Sequence, residues 1–343
     1  MIPLPVNEPT HVAAARRAAL ELAQRLGFGE NDAGRVAIVV TEMATNLLRH
    51  AADGEILLDG VAEDGPAIEI LALDRGPGLA NVAASMRDGF STAGGPGTGL
   101  GAISRLATLF DVHSAPGAGT GLLARLTPAA APGRSPSPSS VVQSSLVEYG
   151  AVCVPKPGEE RCGDAWTAVP RADGAAILVV DGLGHGEAAA QAAQVAVGLF
   201  RERAALAPAA MVAALHDGLH STRGVAAAVA EVDVARQVVR FAGLGNISGA
   251  VVAAGTVGRM VSQNGIAGHQ ARRITEFTYP WSREALLVLH TDGLRADWAL
   301  DRYPGLAARH PGLVAGVLYR DWSRRRDDVA VVVARERPIG SAA

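Results

Sequence analysis

Two sets of polar residues in this 343-residue sequence have types and spacings that could do chemistry. In the first, Glu42 and Asn46 are four apart, so their side chains stack on one face of a helix. An apolar run, Ala67 to Leu73, then ends in Asp74-Arg75-Gly76-Pro77-Gly78. Further on, Gly94-Gly95-Pro96-Gly97-Thr98-Gly99-Leu100-Gly101 leads into a helical pattern. Glycines let backbone approach a phosphate closely, and a helix N-terminus offers unpaired N–H groups to it. Asn46 presents a neutral oxygen suited to magnesium, Glu42 could orient or deprotonate a nucleophile, and Asp74 could accept a hydrogen bond from an exocyclic amine.

The second set is four aspartates. They stand in Cys162-Gly163-Asp164, Val180-Asp181-Gly182-Leu183-Gly184-His185-Gly186, Thr291-Asp292-Gly293 and Arg326-Asp327-Asp328. Asp181 and Asp292 close apolar runs and Asp327 precedes one, which places carboxylates at the rim of a sheet. Gathered there they would repel one another unless a cation sat among them. Hard oxygen ligands suit Mg2+ or Mn2+, and two such ions activate water for direct hydrolysis of a phosphoester. Taken singly, each Asp-Gly pair is also ordinary turn chemistry. His185 follows a Gly-rich turn, where a structural role competes with an acid role. Cys162 has an acidic setting that suits a packed residue better than a nucleophile.

The elements that must position these groups follow from periodicity. Val36, Val40, Met43 and Leu47 form the buried stripe of the Glu42/Asn46 helix, preceded by an amphipathic helix over 10–26. Strands are expected at Glu55–Val61, Ala67–Leu73, Phe110–Ser114 and Gly121–Thr127, with a helix over Ala102–Leu109 and a mixed sheet under a helical layer. Residues Pro128 to Ser140 are rich in Ala, Pro, Gly and Ser and read as a semi-extended linker. Strands then recur at Ala175–Asp181, Val225–Asp233, Gln237–Gly243, Gly249–Ala253, Ala285–Thr291 and Asp328–Ala334. Helices are expected over Glu187–Ala204, Pro208–His220 and Gly305–Tyr319.

Composition narrows the classes. Apolar residues make up 49% and charged residues 19%, with net charge −3, so there is no electrostatic case for nucleic acid or an anionic membrane. The two cysteines give no disulfide framework. The N-terminal residues lack a signal-peptide pattern and no apolar run reaches membrane-span length, so a cytoplasmic protein is expected.

Glu42-x-x-x-Asn46, Asp74-x-Gly76-x-Gly78 and Gly97-x-Gly99-x-Gly101, in this order, resemble the GHKL ATPase/kinase superfamily. With Asp88-Gly89-Phe90-Ser91-Thr92 and Gly117-Ala118-Gly119-Thr120, the stretch is similar to the RsbT-type serine/threonine kinases of bacterial stress signalling. The resemblance implies Glu42 as catalytic base, Asn46 as magnesium ligand and Asp74 as adenine reader. Gly76 and Gly78 would shape the pocket. Gly97, Thr98, Gly99, Leu100 and Gly101 would cradle the phosphates of ATP, and Thr120 is a further implied ATP-binding residue. The four aspartate motifs resemble the SpoIIE/RsbX branch of the metal-dependent (PPM) serine/threonine phosphatases, and Gly243-Leu244-Gly245-Asn246-Ile247 and the spacing look like the RsbX-type members. That resemblance implies Asp181 bridging two metals with the Gly182 carbonyl on one, Asp292 and Asp327 on the other, and Asp164 at the metal rim. Ala330 departs from that branch, which usually carries Thr or Ser there, and no phosphate-gripping arginine can be assigned.

The implied fold is α+β: an N-terminal GHKL (Bergerat) α/β sandwich over 1–128 and a PPM-type α-β-β-α sandwich over 146–337. A linker over 129–145 and a tail over 338–343 complete the chain. The implied function is an ATP-dependent Ser/Thr kinase joined to a Mg2+/Mn2+-dependent phosphoserine/phosphothreonine phosphatase. Its expected partner is a STAS-domain or anti-anti-sigma-like protein, and a homodimer is compatible. Two other readings are an ATP-sensing domain that gates the phosphatase without catalysing, and a binder of a sigma factor.

Overall fold

The computed structural model describes residues 1–51, 53–61, 65–82, 86, 99–129, 145–253 and 255–338. Two compact units emerge, and they are not two successive segments of sequence. Met1–Val142 joins with Arg302–Arg320 in the first, and Gln143–Asp301 joins with Asp321–Ala343 in the second. Most of the expected linker and the last residues of the tail, 130–144 and 339–343, lie outside the described residues.

In the first unit β1 (Ile2–Pro5), β2 (Glu55–Val61), β3 (Ala67–Asp74), β4 (Leu109–Ser114) and β5 (Thr120–Leu126) form a sheet of order β1-β2-β3-β5-β4. Every pairing in it is antiparallel, which corrects the expectation of a mixed sheet. The β2–β3 and β4–β5 connections are short, and short connections join antiparallel neighbours. Helices α1 (Pro9–Arg25), α2 (Glu30–His50) and α3 (Gly99–Leu106) accompany it. Val36, Val40, Met43 and Leu47 of α2 share one core with Ile56, Leu58, Ile68, Ile70 and Ala72. The third helix starts at Gly99 and stops at Leu106, so Leu109 belongs to a strand and not to the expected helix.

Alternation along β3 turns Leu71 and Leu73 to the opposite face from Ile70 and Ala72, and all four are buried. That second apolar face requires cover. It receives Arg302–Arg320: Gly316 packs on Leu71 and Leu73, and Leu313 and Val317 pack on Gly121. The segment folds as two 3-10 turns, Leu300–Arg302 and Leu306–Ala308, and α6 (Pro311–Trp322), not as one helix from Gly305.

The second unit stacks two sheets. One comprises β7 (Asp164–Arg171), β8 (Gly174–Gly182), β9 (Val225–Asp233), β10 (Val238–Leu244), β13 (Ser262–Gln263) and β14 (Phe277–Pro280), in the order β13-β10-β9-β8-β7 with β14 also on β10. The other comprises β6 (Val147–Val154), β11 (Ser248–Ala253), β12 (Thr256–Arg259), β15 (Leu286–His290) and β16 (Val329–Glu336), in the order β12-β11-β15-β16-β6. The strands that matter for the site are β7, β8, β10, β15 and β16. Ile177 and Val179 meet Leu287, Leu289 and Val332 between the sheets. On the outer face of the first sheet, α4 (Glu187–Glu202) and α5 (Pro208–Gly218) pack Ala193, Phe200 and Leu215 against Leu178, Val180 and Val229. Strands β6 (Val147–Val154) and β7 carry no clean apolar alternation, so periodicity does not predict them. Among the described residues, no helix is long and apolar enough to cross a membrane.

Candidate functional site

In the first unit Glu42 and Asn46 stand half-buried on α2. A side chain added at Gly99 would lie 3.5 Å from both Asn46 Oδ1 and Glu42 Oε2, so the start of α3 faces this pair. Leu100 and Gly101 follow in the first turn of α3. Gly97 and Thr98, with Asp88 to Thr92, lie outside the described residues.

Asp74 ends β3 and is 8% exposed. Its Oδ1 accepts the Gly76 N–H at 2.7 Å and the Thr120 N–H at 3.3 Å. Burial raises the pKa of Asp74, opposed by these two donors and by the nearby Arg320 and His50 charges. Gly78 has φ +70°, and a side chain there would strike the Ala115 carbonyl; Gly119 has φ +72° and abuts the Asp74 carbonyl. Both positions need glycine for backbone to pass backbone.

Arg320, missed by the sequence reading, completes this corner. Its side chain is 3% exposed, and Nη1 donates to the Asp74 carbonyl at 2.7 Å and toward the Thr120 carbonyl at 3.5 Å. Nothing local in the sequence signals that a residue so distant along the chain arrives here.

The second unit brings aspartates together. Asp164 and Asp181 are directly opposite across the antiparallel β7–β8 pair. Asp181 and Asp292 are both held by one amide: Asn246 Nδ2 donates to Asp181 Oδ2 at 3.2 Å and to Asp292 Oδ2 at 2.8 Å. Asp164 is buried and accepts the Thr291 hydroxyl at 2.6 Å, and that hydroxyl accepts the Ala330 N–H at 2.9 Å. Asp292 and Asp327 are exposed at the rim. Asp328 is buried, with Oδ1 accepting the Lys156 N–H at 2.8 Å.

Electrostatics mark the cluster as crowded. Burial, then the charge of Asp292, with Asp327 and Asp328 behind it, lift Asp181 to about 7. Asp164 is pushed well up by burial and then by Asp181. Among the described residues, no three His, Cys, Asp or Glu side chains stand close enough together to hold an ion as placed. The donor set nevertheless fits a hard divalent cation: several carboxylates, mutually repelling, two of them spanned by an amide that donates where a cation would sit.

Asn246 lies in the Gly243–Ile247 motif, where the sequence alone assigns it no role. It follows the end of β10, as Asp292 follows β15, and a polar residue just past an apolar strand was the available signal. His185 pairs with Glu159, Nδ1 to Oε1 at 2.6 Å. Cys153 and Cys162 are free thiols with sulfurs 3.5 Å apart.

Comparison with known proteins decides the family. The histidine kinase-like ATPase domain family matches residues 6–126, and the stage II sporulation protein E (SpoIIE) family matches residues 171–337. Over 104 residues the chain is 39% identical to the serine/threonine-protein kinase RsbT of Bacillus subtilis (strain 168), covering 30% of this chain and 78% of RsbT. The chain belongs to the RsbT family and carries a SpoIIE-type phosphatase domain. A solved chain from work on the bacterial stressosome, a modular system adapted to control secondary messenger signalling, matches with TM-score 0.52 and 27% identity, covering 55% of this chain and 99% of that one. RsbX in complex with magnesium matches at TM-score 0.48 and 16% identity, covering 56% and 96%. The fold is therefore α+β, with a GHKL-like domain first and a PPM phosphatase-like domain second.

Proposed function

We propose that this chain carries both arms of a phosphorylation switch. The first domain transfers the γ-phosphoryl group of ATP to Ser or Thr of a STAS-domain protein, and the second hydrolyses such phosphoesters. The observation that carries the phosphatase arm is the meeting of Asp181 and Asp292 on the Asn246 amide, with Asp164 opposite Asp181. The RsbT relative and the stressosome chain support the kinase arm and the partner class.

In the second domain Asp181 and the Gly182 carbonyl, with Asp292 and Asp327, would hold Mg2+ or Mn2+. Such ions, when bound, lower the pKa of a water and neutralise phosphoryl oxygens. The chain's own part is to present these carboxylates ionised and oriented. Asp164, fixed by Thr291, steadies the rim from the buried side. Asn246 holds Asp181 and Asp292 near one another and would release the oxygens that a cation takes.

In the first domain Asn46 would present its oxygen to ATP-bound magnesium, Asp74 would accept the adenine amine, and the glycines from Gly97 to Gly101 would cradle the phosphates. Glu42 would take the proton from the incoming hydroxyl. Positioning and charge neutralisation are sufficient for phosphoryl transfer. The full chain, incubated with ATP and candidate STAS proteins, should form phosphoprotein and ADP. With Mn2+ and no ATP it should release phosphate from the same phosphoprotein. ATP binding without phosphoprotein would leave a nucleotide sensor in place of a kinase.

A further inference from the structure

The second unit has a cationic cleft beside the carboxylate rim. It is a cavity of about 420 Å³ lined by Arg295, Asp297, Ser323, Arg324 and Arg326. Two chain segments build it and are laced together: Arg295 N–H donates to the Trp322 carbonyl at 2.9 Å, Arg324 N–H to the Gly293 carbonyl at 2.8 Å, and Leu294 bridges to Ser323. Leu294 and Trp322 are buried beneath, 1% and 5% exposed, so the walls are anchored.

Each wall is continuous with a rim aspartate, Asp292 just before one segment and Asp327 just after the other. Arg325 adopts φ +54°, a left-handed conformation uncommon for arginine, and its two neighbours, not Arg325 itself, line the cleft. Arg295 lies over the Trp322 ring, 5.1 Å from its centre, and is engaged by Asp297 at 2.6 and 3.1 Å. Among the described residues the Arg324 and Arg326 side chains have no hydrogen-bond or ion-pair partner. Two permanently charged forks thus face a cavity large enough to admit an anionic side chain, and such forks match carboxylate and phosphate geometry.

We propose that this cleft is a specificity subsite that takes an anionic side chain, carboxylate or phosphate, flanking the phosphorylated Ser or Thr of the protein substrate. The assignment rests on the phosphatase reading above.

The test uses the full chain with Mn2+ and three phosphoserine peptides of one length, flanked by glutamates, by glutamines, or by a second phosphoserine. The expected result is a KM about tenfold lower for an anionic flank than for the neutral one, a difference that shrinks with added salt. Replacing both Arg324→Gln and Arg326→Gln should erase that difference through KM. Whichever anionic peptide gains more identifies carboxylate or phosphate as the preferred group. Turnover of p-nitrophenyl phosphate, which has no flanking anion, reports whether the fold and the rim survive the substitutions. If the double variant does not fold, Arg326→Gln alone and the salt series on the wild type carry the test. No preference in the wild type, or a preference that persists in the variant or at high salt, overturns the subsite. Failure of the wild type to hydrolyse p-nitrophenyl phosphate removes the phosphatase reading, and the subsite with it.

Discussion

In the first unit the candidate pair Glu42 and Asn46 comes from successive turns of a single helix, and Asp74 sits where backbone N–H groups already satisfy one of its oxygens. In the second unit Asp164, Asp181, Asp292 and Asp327 arrive from four separate places in the chain, and Asp181 is lifted to about 7 by burial and its neighbours. One site is a backbone cradle in which the protein supplies its own compensation. The other is a set of like charges whose compensation must come from outside. The first should therefore tolerate the absence of ligand, and the second should be the more sensitive to pH and divalent ions.

The sharpest way to break that contrast is to remove one charge from the crowded site. Asp181→Asn should lower phosphoserine hydrolysis about a thousandfold, the equivalent of several kcal/mol of lost charge stabilisation, while ADP formation persists. Next, Glu42→Ala should lower phosphoryl transfer by about a hundredfold or more and leave phosphate release from a phosphopeptide intact. If either substitution disables both activities, the two sites are not separate catalysts.

A smaller effect should follow at the cradle. Arg320→Met removes a buried charged donor from the Asp74 carbonyl. ATP affinity, measured by titration calorimetry on the full chain, should weaken about tenfold, the scale of one hydrogen bond to a charged group. An unchanged affinity would make Arg320 a packing residue only.

The smallest effect concerns pH. In the folded chain Asp181 holds its proton up to about 7, against 3.8 for the ordinary side chain. Between those values the folded chain binds a proton that the unfolded chain has lost, so stability falls as pH rises across the window. With EDTA present, the wild type should lose melting temperature relative to Asp181→Asn as pH rises from about 5 to about 7.5. His290, held down to about 4 mainly by burial, is common to both proteins and drops out of that difference. A constant difference would mean that Asp181 is not crowded.

Part of this was legible in sequence because the candidate groups sit where patterns end. Asp74 and Asp181 close apolar runs, and Glu42 and Asn46 flank a helical stripe, so periodicity placed all four on their elements, while the order of the motifs and the family resemblance suggested their roles. The direction of a side chain past a strand end is set by tertiary partners, which is why Asn246 drew no role. Strand β7 was passed over because Trp166, Thr167 and Pro170 break its alternation, although it carries Asp164. The helix expected over Gly305–Tyr319 was assigned to the second domain, whereas Arg302–Arg320 joins the first unit. Its apolar pattern shows that it must pack, whereas only the double-faced burial of β3 shows where.

The central claim is that the aspartates of the second domain gather around divalent ions. Equilibrium dialysis of the full chain against Mn2+, without nucleotide and beside the Asp181→Asn and Asp292→Asn variants, tests it directly. The account predicts saturable uptake by the wild type that both substitutions sharply weaken. Equal uptake by all three proteins, or none by the wild type, would contradict it.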